Sequence, residues 1–394
     1  ENLRLSHNDL NVPVFVKGWE DGQFNKNDFF EFWGEDYKRA FQQKAADLYK
    51  DPYTSTNVYW LSWEKKGQWM SLEEGQIPQE NQYRYIRPYS FYETIHVERD
   101  GYYDRLSSVA MDSLRDFWFY DGGISPGRKN EYSFELFHPD DQSPLPVLPK
   151  IMLSGRSMID SVQHNVSAFL NSSYVGTKTW QWQNILSLDA QDQTQIYGSD
   201  LVSGENKLTL VNNASPDQYD MFMLNWFEVT YPRLYRAEED FIKFKIPPNY
   251  NSGSFIFKID GFKSKNIEVY KLGYSKITGT VIEEVTDFDD FTSLQISFQD
   301  YATSNEIEYI ALAPDAKKKP YKIEFDEPSG LRSWDVAADY ILITHEKFIE
   351  NPILDELEEL RQAQGLRTLR VNVKDIYDEF FNGQESPFAI KKFL

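Results

Sequence analysis

Apolar residues recur at every second position in segment after segment of roughly the first 330 residues. That period commits most of the chain to β-strands with one buried and one wet face. The pattern is plainest in Phe241-Ile242-Lys243-Phe244-Lys245-Ile246, Ser254-Phe255-Ile256-Phe257-Lys258-Ile259, Ile267-Glu268-Val269-Tyr270 and Leu294-Gln295-Ile296-Ser297-Phe298. Further back, Val166, Ala168 and Leu170 alternate with Ser167, Phe169 and Asn171. Asn171-Ser172-Ser173 then reads as a turn, and Lys207–Val211 and Met221–Tyr231 read as later strands. Nearer the start, Val12–Val16, Asp28–Gly34 and Asn57–Trp63 are aromatic strands between polar turns, and residues 36–49 could hold a helix or long turn. With 16% of residues aromatic, the chain carries the ring surface that pleated sheets pack well.

The periodicity changes in the last sixty residues. Asp339–Thr344 is a continuous apolar run, the expectation for a strand buried on both faces of a parallel sheet. Asn351-Pro352 reads as an N-cap and first helical residue, followed by Ile353, Leu354, Leu357, Leu360 and Ala363 at helical spacing and Gly365 as a stop. Leu366–Val373 is a second strand, Asp375 a cap for a short helix ending near Gly383, and Ser386-Pro387 the opening of another helix. The fold class expected is mostly β, with β-sandwich or jelly-roll modules followed by a β-α-β-α segment. The sections are a β-rich module over 1–125, a jelly-roll module over 130–235, a small β module over 238–328 and an α/β segment over 335–394. Two parallel strands do not close a core, so this α/β unit reads as unfinished.

Net charge is −21, which disfavours nucleic acid and anionic lipid surfaces. Cysteine is absent, so the chain has no disulfide, thiolate metal site or cysteine nucleophile. No apolar run reaches the length of a membrane-spanning helix, and Glu1–Asp9 lacks the pattern of a secretory signal, which could have been removed already.

Individual motifs are weak. Glu20–Asp28 crowds oxygen donors, with Asp21, Asn25 and Asp28 as calcium candidates, but it lacks the EF-hand spacing, and a polar turn explains it as well. Trp180 and Trp182 could form a sugar-stacking face or simply pack into a core. His7, His96, His138, His164 and His345 form no paired metal-ligand spacing, although His345 follows the first parallel strand at the end where open α/β sheets bind ligands. Ser154-Gly155-Arg156-Ser157 is not a nucleophile elbow, and Asp287, Asp289 and Asp290 read as a solvated turn. Asn165, Asn171 and Asn213 head glycosylation sequons.

Four segments taken in order carry a resemblance: Tyr340-Ile341-Leu342-Ile343-Thr344, Arg361-Gln362-Ala363-Gln364-Gly365-Leu366, Asp375-Ile376-Tyr377-Asp378-Glu379-Phe380, and Ala389-Ile390-Lys391-Lys392-Phe393-Leu394. Together they resemble the opening of the catalytic domain of gingipain-type cysteine peptidases. The resemblance implies a caspase-like α/β fold and a His–Cys dyad downstream of these motifs, so no residue here inherits a catalytic role. Gly22–Gly34 and Asn57–Leu61 are similar to the long N-terminal regions of large secreted members, including relatives of the type IX secretion sortase. Glu205–Leu210 and Leu224–Tyr231 resemble the closing strands of galactose-binding-like jelly rolls, which often show Asp where this chain has Asn225.

The expected function is therefore a set of non-catalytic modules that position, shield or anchor a gingipain-like peptidase domain, extracellular or at a bacterial cell surface. The partners would be that domain and a surface protein or glycan. The alternative is a cell-surface module that binds glycan or protein; an independent hydrolase lacks an assembled nucleophile and base.

Overall fold

Alternation becomes two-sided architecture when strands pair. Lys129–Leu136, Gly204–Asn212, Gln163–Leu170 and Ser173–Gln181 form one antiparallel sheet in that spatial order. A second sheet runs Ile185–Asp189, Leu148–Gly155, Phe222–Leu234, Ser90–Glu98. Val166, Ala168 and Leu170 are wholly buried, as their alternation predicts, and share one core with Leu136, Leu208, Leu210, Ile151, Leu153, Phe227 and Tyr231. Each buried Val, Leu, Ile or Phe among them contributes about 1.5–3 kcal/mol by leaving water. The turn predicted at Asn171 is present, with Asn171 at φ 52°.

The computed structural model describes residues 3–35, 47–63, 66–80, 84–105, 115–157, 163–189, 195–286, 292–333 and 337–394. The possible helix at 36–49, except for its last three residues, and Asp287, Asp289 and Asp290 lie outside them. The chain divides into two compact units. One comprises Gln43–Leu48 and Ser71–Lys318, and the other Glu1–Gln42, Tyr49–Met70 and Lys319–Leu394.

The larger unit contains the sandwich above and a second, ring-rich one. Its five-stranded sheet runs Phe241–Phe244, Tyr309–Leu312, Glu268–Lys271, Ser275–Thr278, Ser71–Glu74, the last pair being parallel. Gly253–Phe262, Thr292–Ala302 and Val281–Thr286 form its three-stranded sheet. Phe244, Phe255, Phe257, Phe298 and Tyr309 fill the core. The register slips between Ile259 and Phe262, and Gly261 sits there at φ +85° with the Ala237 carbonyl too close for any Cβ.

In the smaller unit, Arg4–His7 pairs with Leu10–Val12 and Trp60–Ser62, and Val14–Lys17 pairs with Phe29–Phe32. The single strand expected over Val12–Val16 is thus two, separated by Pro13, which has no N–H to give to a ladder. Leu5, Val14 and Val16 are buried against Phe30, Phe32, Tyr59 and Trp69.

The α/β segment belongs to this same unit. Tyr340–Thr344 and Thr368–Asn372 are parallel, with Tyr340 opposite Thr368 and Thr344 opposite Asn372. Helix α1 (Pro352–Ala363) starts where the Asn351 side chain accepts from the Ile353 N–H, and Gly365 follows its end at φ +84°. Helix α2 (Val373–Phe381) is capped by Asn372, not by Asp375. Asn372 has extended backbone and accepts from the Lys374 N–H at 3.1 Å, which leaves Asp375 inside the first turn. Ser386 and Pro387 open α3 (Pro387–Phe393) as expected. The strand Tyr340–Thr344 is half-buried at every position rather than fully buried. Among the described residues it has one strand neighbour, and its core is the small cluster around Val371, Ile376, Phe381 and Ala389.

Candidate functional site

The carboxyl end of the parallel strand pair is where an α/β sheet places its chemistry. Register brings Thr344 and Asn372 to that edge together, with His345 one residue beyond. His345 and Asn372 act as caps. His345 Nδ1 accepts from the Lys347 N–H at 3.2 Å, and Asn372 holds the start of α2. Behind the edge, Arg370 ties the second strand to α1: its guanidinium donates to Asp355, to both Glu358 oxygens and to the Ile349 carbonyl. At the opposite end, Arg367 grips Asp339 through two parallel bonds and holds its carboxyl at about 2. Burial, with Asp326 and Asp375 nearby, raises the Asp378 carboxyl to about 6. Among the described residues this edge carries no nucleophile–base pair.

The calcium candidates do share one loop. Asp21 accepts from the Gln23 N–H and from the Asn25 amide, and Asp28 accepts from the Asn25 N–H. The loop thus satisfies its own oxygens. No group of three or more His, Asp or Glu side chains among the described residues is placed to hold a metal.

The two tryptophans do not share a face. Trp180 is 8% exposed and packs against His164 and Phe222, with its indole N–H donating to the Asn184 carbonyl. Trp182 lies past the strand end in a turn at φ 63°. Ser154 and His164 are buried, and Ser157 accepts from the Met221 N–H, so none of these can meet a substrate.

Two polar clusters in the larger unit have no local signature in the sequence. His164 Nδ1 is hydrogen-bonded to Asp220 Oδ1 with both side chains fully buried, and His164 Nε2 donates to the Trp182 carbonyl at 2.8 Å. A carbonyl only accepts, so Nε2 is the donor in that bond. Asp47, also buried, receives Arg115 Nε at 2.6 Å on its carboxylate, while its backbone carbonyl accepts from the Asn225 amide and the Trp226 indole. An aspartate at 225 could not make that donation, which accounts for the amide there. Beside it, burial and then Glu98, Asp47 and Asp100 push the Asp116 carboxyl up to about 7, against the Trp118 N–H it accepts. Burial opposes charge on His96, but bonds to Glu228 and Glu98 leave its pKa raised. Each cluster joins residues more than fifty positions apart, so neither had a spacing to read.

The fold defines a class: a mostly β protein whose last sixty residues form a β-α-β-α segment around a parallel strand pair. Residues 333–394 match the sequence model of Peptidase family C25. Among solved structures, the chain is similar to the crystal structure of dimeric latent PorU from Porphyromonas gingivalis, with a TM-score of 0.62 and 14% identity over 100% of this chain. The chain spans 36% of that structure's length. No curated protein matches. The resemblance to gingipain-type peptidases read from the sequence therefore rests on two further observations, a family match over the α/β segment and a shared fold over the whole chain.

Proposed function

We propose that these residues are the non-catalytic forward part of a gingipain-like cysteine peptidase, and that its β-sandwiches position or shield the peptidase domain at a bacterial cell surface. The observation that carries the reading is the family match to residues 333–394, the elements at whose carboxyl strand edge His345 and Asn372 serve as helix caps. Cysteine is absent from the chain, so a His–Cys dyad would be supplied by residues beyond these. Partner and location follow the same reading: the peptidase domain is the first partner, and export places the protein outside the cell. No helix among the described residues is long and apolar enough to cross a membrane.

The test is hydrolysis of a fluorogenic peptide pool. The 394-residue chain is expected to show none. A longer chain carrying the full α/β domain is expected to cleave and to lose cleavage when its cysteine nucleophile becomes alanine. Hydrolysis by the 394-residue chain, or cleavage that survives the cysteine change, overturns the proposal.

A further inference from the structure

Residues 319–327, Lys-Pro-Tyr-Lys-Ile-Glu-Phe-Asp-Glu, combine a strand pattern with no strand partner among the described residues. Tyr321 is completely exposed, and Ile323 and Phe325 are each 82% exposed, three large apolar side chains at a period of two. No backbone hydrogen bond reaches residues 319–328 among the described residues. Single exposed apolar residues are ordinary, but three in strand spacing beside an unpaired backbone are a template for pairing.

The charges say what would pair with it. The segment is basic at its start, Lys319 and Lys322, and acidic at its end, Glu324, Asp326 and Glu327. We infer that this segment pairs antiparallel with the same segment of a second copy of this chain, centred on Ile323. That register sets Ile323 against Ile323, Tyr321 against Phe325, Lys322 against Glu324 and Lys319 against Glu327. Every charged position other than Asp326 meets its opposite, and every large apolar residue meets another on one face. Taking Ile323 as a hydrogen-bonded pair points the N–H groups of Tyr321, Ile323 and Phe325 at the partner. Pro320, which has no N–H, then faces outward, and Pro328 ends the ladder without breaking it.

Lys322 and Glu324 already touch within one chain, and Lys374 reaches Glu324 at 3.3 Å. These are exposed contacts, worth little, and exchange for intermolecular ones at small cost. Two strands alone make a marginal ribbon, so the association is weak and concentration-dependent.

The experiment is sedimentation equilibrium of the 394-residue chain over a concentration series, with K322E and E324K as separate variants. Wild type is expected to dimerise reversibly. Each variant alone sets like charges against each other twice and is expected to weaken association by about tenfold or more. An equimolar mixture of the two variants restores both opposite-charge pairs, and is expected to recover wild-type association. Recovery on mixing separates pairing between chains from any contact within one, and circular dichroism confirms that these surface variants fold. A wild type that stays monomeric, variants that dimerise as wild type does, or a mixture that fails to recover each overturns the proposal.

Discussion

Asp116 and His164 sit in buried environments that their neighbours in sequence do not suggest. The native state holds the Asp116 carboxyl at about 7, against an ordinary value of 3.8. Below pH 4 the group is protonated folded or unfolded and contributes nothing. Between pH 4 and 7 the unfolded chain ionises while the native one keeps its proton, so stability falls as pH rises, by up to about 4 kcal/mol, and levels off above 7. Asp116→Asn keeps an oxygen for the Trp118 N–H and removes the ionisation. It is expected to stabilise the larger unit at pH 8 and to change little at pH 4, read from urea unfolding at both. His164→Ala has the opposite character. It strands Asp220 without a partner in the core and opens a void beside Trp180, for an expected loss of about 3 kcal/mol in the same measurement. Neither residue announces itself in sequence, because the partners that define them arrive from strands or loops far along the chain.

Elements were far more legible. Caps at Asn351 and Ser386, the stop at Gly365 and the alternation of Val166, Ala168 and Leu170 are local, and each appears where the residues put it. Asp375 lies inside the first turn of α2, not at its cap, because Asn372, three residues earlier, has both the side chain and the extended backbone that an N-cap needs. The pairing of α1 with the second parallel strand rests heavily on one side chain. Arg370→Ala removes its bonds to Asp355, Glu358 and the Ile349 carbonyl, and no residue of α1 is buried. Amide exchange over Pro352–Ala363 is expected to speed up several-fold, while that of α2, which contributes Ile376 and Phe381 to the core, stays close to wild type.

For the whole molecule, the net charge of −21 predicts no retention on duplex DNA at physiological salt, checked by electrophoretic mobility shift. Binding there would point to a basic face that the overall balance hides. The sequence alone determined that the chain is mostly β, that its last sixty residues switch to β-α-β-α, and that it carries no cysteine chemistry. Those properties are sums over residues or patterns within a dozen positions, and side-chain periodicity reports them directly. Only the tertiary structure decided that Ser71–Glu74 lies parallel to Ser275–Thr278, that Ser90–Glu98 completes the sheet of Phe222–Leu234, and that Trp180 faces a core. Strand partners across two hundred residues are chosen by complementary surfaces formed on folding, and no local pattern encodes which surface will meet which. The same reasoning applies to Tyr321, Ile323 and Phe325: their alternation is present in the sequence, but only the structure showed it exposed and without a strand partner among the described residues.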